Sequence, residues 1–392
     1  MDGLYRADGV DGKGKSWSIL GVMRAVAKAS TGLAILAALL LGGCSRAELG
    51  VSWLDMDAGT GDTEGPDTGS DSDSDVDSDS DSDSDCDTDS DSVAEDGGMD
   101  AGPVWRFAAF CDSRGTYETG GHNHEKLSAI ATAALADGVD LVIFPGDLVF
   151  GSGVAENLES QLLEWRDTMK ILYDAGVDVY PVRGNHDDGA FEPWNAVFTG
   201  PYAISDAGPE GEINKTFAVE HENALFVGFD LYFTPHRVNQ EWLDERLAET
   251  TAEHIFAFAH EPAYAAYHAD CLDDYPDERD AFIQSLAAVG GRIYFAGHDH
   301  FYARARVDLD PAEPAFYQVI IGTAGAPPYV FDHVYGGDNG DASVTDEYSD
   351  TPYGYLLVEI QGPHATITWK KLVSISPIVF ESMETFCYTL GE

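Results

Sequence analysis

From Asp55 to Asp100 the chain carries 19 carboxylates and not one Lys or Arg, and Asp alternates with Ser almost without break from Ser70 to Ser92. Like charges repel along such a segment, and it has almost no apolar surface to offset the entropy lost on ordering. It is expected to be an extended, disordered acidic linker over residues 45–102, which confines any folded core to residues 103–392. The other use of repeated Asp is calcium capture, but the tract lacks the glycine periodicity of calcium-binding solenoid repeats. The acidity does not end there. The chain has 21 Lys and Arg against 70 Asp and Glu, a formal net charge of -49, and residues 101–392 still hold 47 acidic and 15 basic side chains. Nucleic-acid phosphates are held by Lys and Arg, so this balance argues against DNA or RNA as a partner. All 12 histidines follow residue 121, which places the metal-ligating and proton-carrying chemistry in that same part. At 44% hydrophobic residues overall, it can bury a sizeable core.

Ahead of the acidic tract, Arg24 and Lys28 precede an uncharged stretch from Ala29 to Gly43 containing Leu33-Ala34-Ile35-Leu36-Ala37-Ala38-Leu39-Leu40-Leu41. This falls short of the roughly 20 residues a membrane-spanning helix needs, but it suits the basic and apolar regions of a secretory signal. Its end, Leu41-Gly42-Gly43-Cys44, resembles the lipobox of bacterial lipoproteins. That resemblance implies that residues 1–44 are a signal segment and that Cys44 becomes a lipidated N-terminus. The protein would then be exported and anchored to the bacterial membrane, facing the periplasm or the surface, with Ser45 favouring the outer membrane. A cleaved signal without lipid is the plainer alternative. Met23 is a candidate start, because a 22-residue polar extension before such a segment is unusual. Of the five cysteines, Cys44 and Cys86 lie in these regions, and an oxidising compartment allows one bridge among Cys111, Cys271 and Cys387. Cys111 lies in an apolar run and is expected to be buried, so Cys271–Cys387 is the expected pair.

Residues 103–392 read as one mixed α/β domain of alternating strands and helices. Strands are expected at Val104–Cys111, Asp140–Phe144, Val177–Val182, Lys215–Val219, Leu225–Phe229, His254–Phe258 and Arg292–Phe295. Further strands are expected at Phe316–Ile321, Tyr355–Ile360 and Ala365–Leu372. Helical spacing marks Glu125–Leu135, Asn157–Ala175, Asn239–Leu247 and Glu278–Ala288. Asp338–Asp350, rich in Gly, Asp and Ser, is expected to be a surface loop bordering the cleft. Trp165, Trp194 and Tyr294 have no special spacing and are expected in the core or at its rim.

The polar groups that come after the strands carry the functional signal. Asp112, Asp147, Asn185, His260, and the pair His298 and His300 each come directly after an apolar run. In open α/β sheets, ligands bind just beyond the carboxyl ends of strands, so these loops would converge on one crevice. Mixed carboxylate, amide and imidazole donors suit Mn, Fe, Zn or Co better than calcium. Glycines 146, 184 and 297 are expected to let the backbone turn sharply, aiming the next side chain inward.

Gly146-Asp147, Gly184-Asn185-His186-Asp187, His260 and Gly297-His298-Asp299-His300 resemble the motifs of the calcineurin-like metallophosphoesterases, a superfamily that includes the purple acid phosphatases. Asn239-Gln240-Glu241-Trp242-Leu243 is similar to the helix before that family's third motif. The resemblance implies a four-layer α-β-β-α sandwich, with two mixed sheets flanked by helices. It also implies two divalent or trivalent ions (Mn, Fe or Zn). Asp147 would bridge both, Asp112 and His300 would hold one, and Asn185, His260 and His298 the other. The implied activity is phosphomonoester or phosphodiester hydrolysis by attack of a metal-bridging hydroxide. His186 would be the general acid at the leaving oxygen, oriented by Asp187.

One departure stands out. The family's first motif reads Asp-x-His, whereas this chain has Asp112-Ser113-Arg114, and a guanidinium has no lone pair for a metal. Purple acid phosphatases place a tyrosine three residues after the bridging aspartate, but here that position is Phe150, so their charge-transfer colour is not expected. Arg114 can instead grip a substrate phosphate oxygen or pair with a carboxylate. His122 and His124 are expected on a solvated loop unless one folds in as a replacement ligand. His221, His236, His254, His268, His333 and His364 receive no role. The alternative to an enzyme is a catalytically weakened surface lipoprotein that binds metal or phosphorylated ligands through the same fold.

Overall fold

The computed structural model describes residues 3–10, 16–23, 102–116, 118–188, 191–233, 237–310 and 314–391. The expected lipobox at Cys44 and nearly all of the acidic linker lie outside these residues. The chain divides into two compact units, Met1–Ser78 and Asp79–Glu392. In the first, β1 (Gly3–Val10) and β2 (Ser16–Met23) form an antiparallel hairpin.

The second unit has two mixed sheets, each with a run of parallel strands. In one, β3 (Trp105–Ala109), β4 (Leu141–Pro145) and β5 (Asp178–Val182) run parallel. The antiparallel β13 (Gly354–Gln361), β14 (His364–Ile375) and β15 (Ile378–Thr389) extend it beside β3. In the other, β7 (Ala224–Gly228), β8 (His254–Phe258), β9 (Ile293–Ala296) and β11 (Phe316–Ile321) are parallel. Its antiparallel edges are β6 (Phe217–His221) on one side and β10 (Tyr302–Asp308) with β12 (Ser343–Asp350) on the other. Ser343–Asp350 is therefore an edge strand rather than part of a loop. Its alternating exposed and half-buried residues carry too little apolar signal to read as a strand before its partner is known.

Strand periodicity builds the layers, because successive side chains point to opposite faces. On β8, Phe256 and Phe258 join the core between the sheets, while Ile255 and Ala257 face the outer core; β7 and β9 divide in the same way. Phe107 of β3 packs edge-on against Phe226, Phe256 and Phe295 across the interface between sheets. The outer face of the second sheet is covered by Leu243 and Leu247 of α4 (Gln240–Glu249) and by Phe282, Ile283 and Leu286 of α5 (Pro276–Ala288). The first sheet carries α1 (His124–Ala136) and α2 (Ala155–Ala175), with the short α3 (Phe191–Val197) packed on α2. Asn123 caps α1 and Asn239 caps α4 through their side chains. The result is the expected α-β-β-α sandwich. Trp165, Trp194 and Tyr294 are all buried in it.

The cysteine pairing differs from the expectation. Cys271 is a free buried thiol, as is Cys111, and Cys387 is disulfide-bonded with neither of them. Cys271 sits buried at the start of a short 3-10 turn, whereas Cys387 lies half-buried on an edge strand, so burial and topology separate the two.

Candidate metal centre

Strands β3, β4, β5, β8 and β9 all end at one rim, and the loops that leave them interlock. Asp112 and Asp147 take left-handed backbone conformations, with φ of 58° and 53°, as does His298 at 70°. Such conformations are uncommon outside glycine and are held only when surrounding bonds over-determine them. Here the Asp112 amide donates to Gly146 O and the Ser113 amide to Asp147 O. The carboxylates lock the other loops: Asp112 Oδ2 accepts from the His298 amide at 3.1 Å, and Asp147 Oδ1 from the His186 amide at 3.0 Å.

The three motif glycines do not all act as expected. Gly146 does turn through a positive φ of 87°. Gly184 and Gly297 do not, and their requirement is space. A Cβ on Gly184 would collide with the Asp147 carboxylate, and one on Gly297 with the Asp112 carboxylate and the Cys111 sulfur.

Donor atoms of Asp112, Asp147 and His260, all three buried, lie within 4.8 Å of one another. His260 donates from Nδ1 to Pro145 O at 2.9 Å, so its Nε2 presents a lone pair. That lone pair meets oxygens: Asn185 Oδ1 at 3.0 Å and Asp147 Oδ1 at 3.3 Å. His300 repeats the pattern, donating from Nδ1 to Pro327 O at 2.7 Å while Nε2 stands 3.5 Å from Asp112 Oδ1. Among the described residues, Asp112 Oδ1 is buried with no hydrogen-bond partner, and His298 Nε2 meets only the Asp270 carboxylate, 3.3 Å away. Buried donors of this kind, converging without hydrogens between them, are what a cation relieves. The set fits a divalent first-row metal.

The electrostatics follow from these same neighbours. Burial pushes Asp112 up, but the facing His300, His260 and the Cys111 thiol together outweigh it and pull the carboxyl down to about 2. Burial opposes the His298 imidazolium, but Asp270, whose Oδ1 lies 3.3 Å from Nε2, acts with Asp299 and Asp147 to outweigh it and raise His298 to about 9. His186 is lowered, by burial above all.

His186 faces the centre, its Nε2 3.9 Å from Asp147 Oδ2. Its orientation does not come from Asp187. Nδ1 donates to the Phe150 carbonyl at 2.6 Å. Asp187 is turned under the loop, accepting from the amides of Gly184, Leu148 and Val149, and burial raises its pKa well above the usual carboxylate range. Phe150 thus holds the general-acid candidate through its backbone.

Arg114 reaches the centre. Its Nε is 3.5 Å from Asp147 Oδ2, and its guanidinium donates to the Tyr329 hydroxyl at 3.3 Å. Of the two expected uses of Arg114, pairing with a carboxylate is the one present, and that carboxylate is Asp147 itself. His122 and His124 do not supply the missing donor; Nε2 of one and Nδ1 of the other bond Thr168 Oγ1 on α2 at 2.7 and 2.9 Å.

Several neighbours had no sequence signal. His268, given no role, bonds Asp299 Oδ1 through Nδ1 at 2.6 Å, and its ring lies 4.4 Å from that of His298. Tyr329 stacks on His300 at 4.2 Å and 14°. Arg183, fully buried, forms a bidentate pair with Asp230 at 2.7 and 3.0 Å, tying the end of β5 to the end of β7 beneath the site. Of these, only Asp299 lies inside a motif, and Arg183 directly precedes one.

The model of the calcineurin-like phosphoesterases matches residues 106–302, half of the chain and every ligand candidate of the centre. The chain belongs to this family. Among solved structures, the phosphoesterase domain resembles a purple acid phosphatase from yellow lupin (Lupinus luteus) seeds. The TM-score is 0.54 at 14% identity, covering 73% of this chain and 54% of that one. It also resembles PhoD, with a TM-score of 0.54 at 12% identity over 74% of this chain and 70% of that one. At these identities the likeness is one of fold, and the match spans about half the length of the lupin enzyme. No curated protein matches the sequence.

Proposed function

We propose that the protein is a metal-dependent phosphoesterase acting on phosphomonoesters or phosphodiesters. The observation that carries this is the convergence of Asp147, Asn185 and His260 around unshared lone pairs, with His186 held beside them by the Phe150 carbonyl. Asp112, Asp147, Asn185, His260, His298 and His300 would hold the metal. A bound metal supplies Lewis-acid polarisation of the phosphoryl group and an acidified water. The chain's own groups do the rest. Arg114 donates to a non-bridging phosphate oxygen. His186, once protonated, gives its Nε2 proton to the leaving oxygen, while Nδ1 stays bound to Phe150. Asp187 keeps the Gly184–Asp187 turn rigid from below.

The test is turnover of p-nitrophenyl phosphate and bis-p-nitrophenyl phosphate by the chain loaded with Mn, Fe or Zn, beside Asp147→Asn. Hydrolysis that the variant loses supports the reading, and the faster ester separates monoesterase from diesterase. Metal uptake without hydrolysis of either ester would overturn it in favour of a metal-binding or phosphoryl-binding surface protein. We also propose export with lipid on Cys44, supported by the lipobox-like Leu41–Cys44. The mass of the mature N-terminus checks it: an unmodified or uncleaved terminus would refute the anchor.

A further inference from the structure

The geometry points to a centre that holds one metal ion tightly, on the side of Asn185 and His260, with the Arg114 guanidinium standing in for a second. This rests on the metal-dependent reading of the site. Three observations carry it. Arg114 is a permanent cation with no lone pair, and its Nε lies 3.5 Å from Asp147 Oδ2, the carboxylate oxygen turned away from His260. Its reach is built: the guanidinium donates to the Tyr329 hydroxyl, and the Tyr329 ring is stacked on His300, a ligand candidate of that same half. The side chain is only 15% exposed, so water does little to screen it.

Charge counting gives the same answer. The buried carboxylates turned into the centre are Asp112 and Asp147, while the exposed Asp270 is paired with His298. One divalent ion together with Arg114 leaves a small positive excess, matched to a phosphate ester dianion. A second divalent ion would add two more positive charges beside a guanidinium in a buried site, where uncompensated charge is costly. The donors left for that ion are also few. Asp112 Oδ1 and His300 Nε2 face each other, and neither Phe150 nor Arg114 can add to them. On the other side, Asn185 Oδ1, Asp147 Oδ1 and His260 Nε2 converge with no fixed cation among them.

The experiment counts ions rather than turnover. The full chain, metal-stripped, is titrated with Mn(II) by calorimetry, and its electron paramagnetic resonance spectrum is recorded, beside Arg114→His and Arg114→Lys. The expected result is about one tight equivalent with an isolated Mn(II) hyperfine pattern for the native chain and for Arg114→Lys. Arg114→His should bind about two equivalents with an exchange-coupled spectrum. A coupled pair in the native chain would overturn the inference, as would a count of one in a folded Arg114→His. Thermal unfolding of each variant reports folding. No Mn(II) uptake by the native chain would sink the metal-dependent reading itself, whereas two coupled ions would leave that reading standing and remove only this one.

Discussion

The two halves of the centre are made from the same parts and end up different. Each has a histidine whose Nδ1 is pinned to a proline carbonyl, His260 on Pro145 and His300 on Pro327, and each faces a buried carboxylate. Around His260 the next neighbour is the Asn185 amide, with the His298 ring 5.1 Å away. Around His300 it is the stacked Tyr329 and, through it, the guanidinium of Arg114. Strand ends thus fix where ligands stand, while one side chain two residues after Asp112 decides what charge they share.

The largest expected effect separates the halves directly. His260→Ala should weaken metal binding by more than about 100-fold and take turnover with it, since even supporting groups at metal sites are worth about 10–100-fold. His300→Ala should keep the tight equivalent. Equal losses in a calorimetric titration would make the halves equivalent and end the comparison.

A second contrast lies within the Gly184–Asp187 turn. His186→Ala should lower kcat by about 10²–10⁴-fold with metal content unchanged, as removal of a general acid does. Asp187→Ala should act on stability instead. It leaves the amides of Leu148, Val149 and Gly184 without their acceptor, at about 1–3 kcal/mol for a buried group left unsatisfied. If Asp187→Ala lost kcat while its denaturant midpoint stayed put, Asp187 would be an orienting group after all.

The smallest effect concerns the histidines beside the site. Burial, then the neighbouring His124, lowers His122 to about 4. Its unfolded value is near 6.5, so below that pH the unfolded chain takes up a proton that the folded one refuses. Stability is therefore full above about pH 6.5 and falls as pH drops toward 4, by roughly 2 kcal/mol at pH 5. His122→Gln should flatten that slope in pH-dependent unfolding; an unchanged slope would place the acid sensitivity elsewhere.

Much of this was legible in the chain because it is local. His254–Phe258 and Phe316–Ile321 are strands over just the residues their apolar runs mark, and Asn239 caps the helix it was expected to begin. The ligand candidates were legible for the same reason, since each comes just after a strand, His298 and His300 after the same one. Ser343–Asp350 and Ile378–Thr389 were not, because edge strands with exposed faces carry no periodic apolar signal and are defined by their partners.

The sequence alone determined which atoms were available to the centre: two aspartates, an asparagine and three histidines at strand ends, and an arginine where a ligand was expected. Only the tertiary structure decided what each of them faces. That Arg114 meets Asp147, that Phe150 rather than Asp187 orients His186, and that Cys271 stays unpaired all depend on contacts between segments far apart in the chain. Spacing along a strand fixes the side of the sheet on which a residue lies. The partner across the crevice is set by how two sheets twist and pack, and no single segment encodes that.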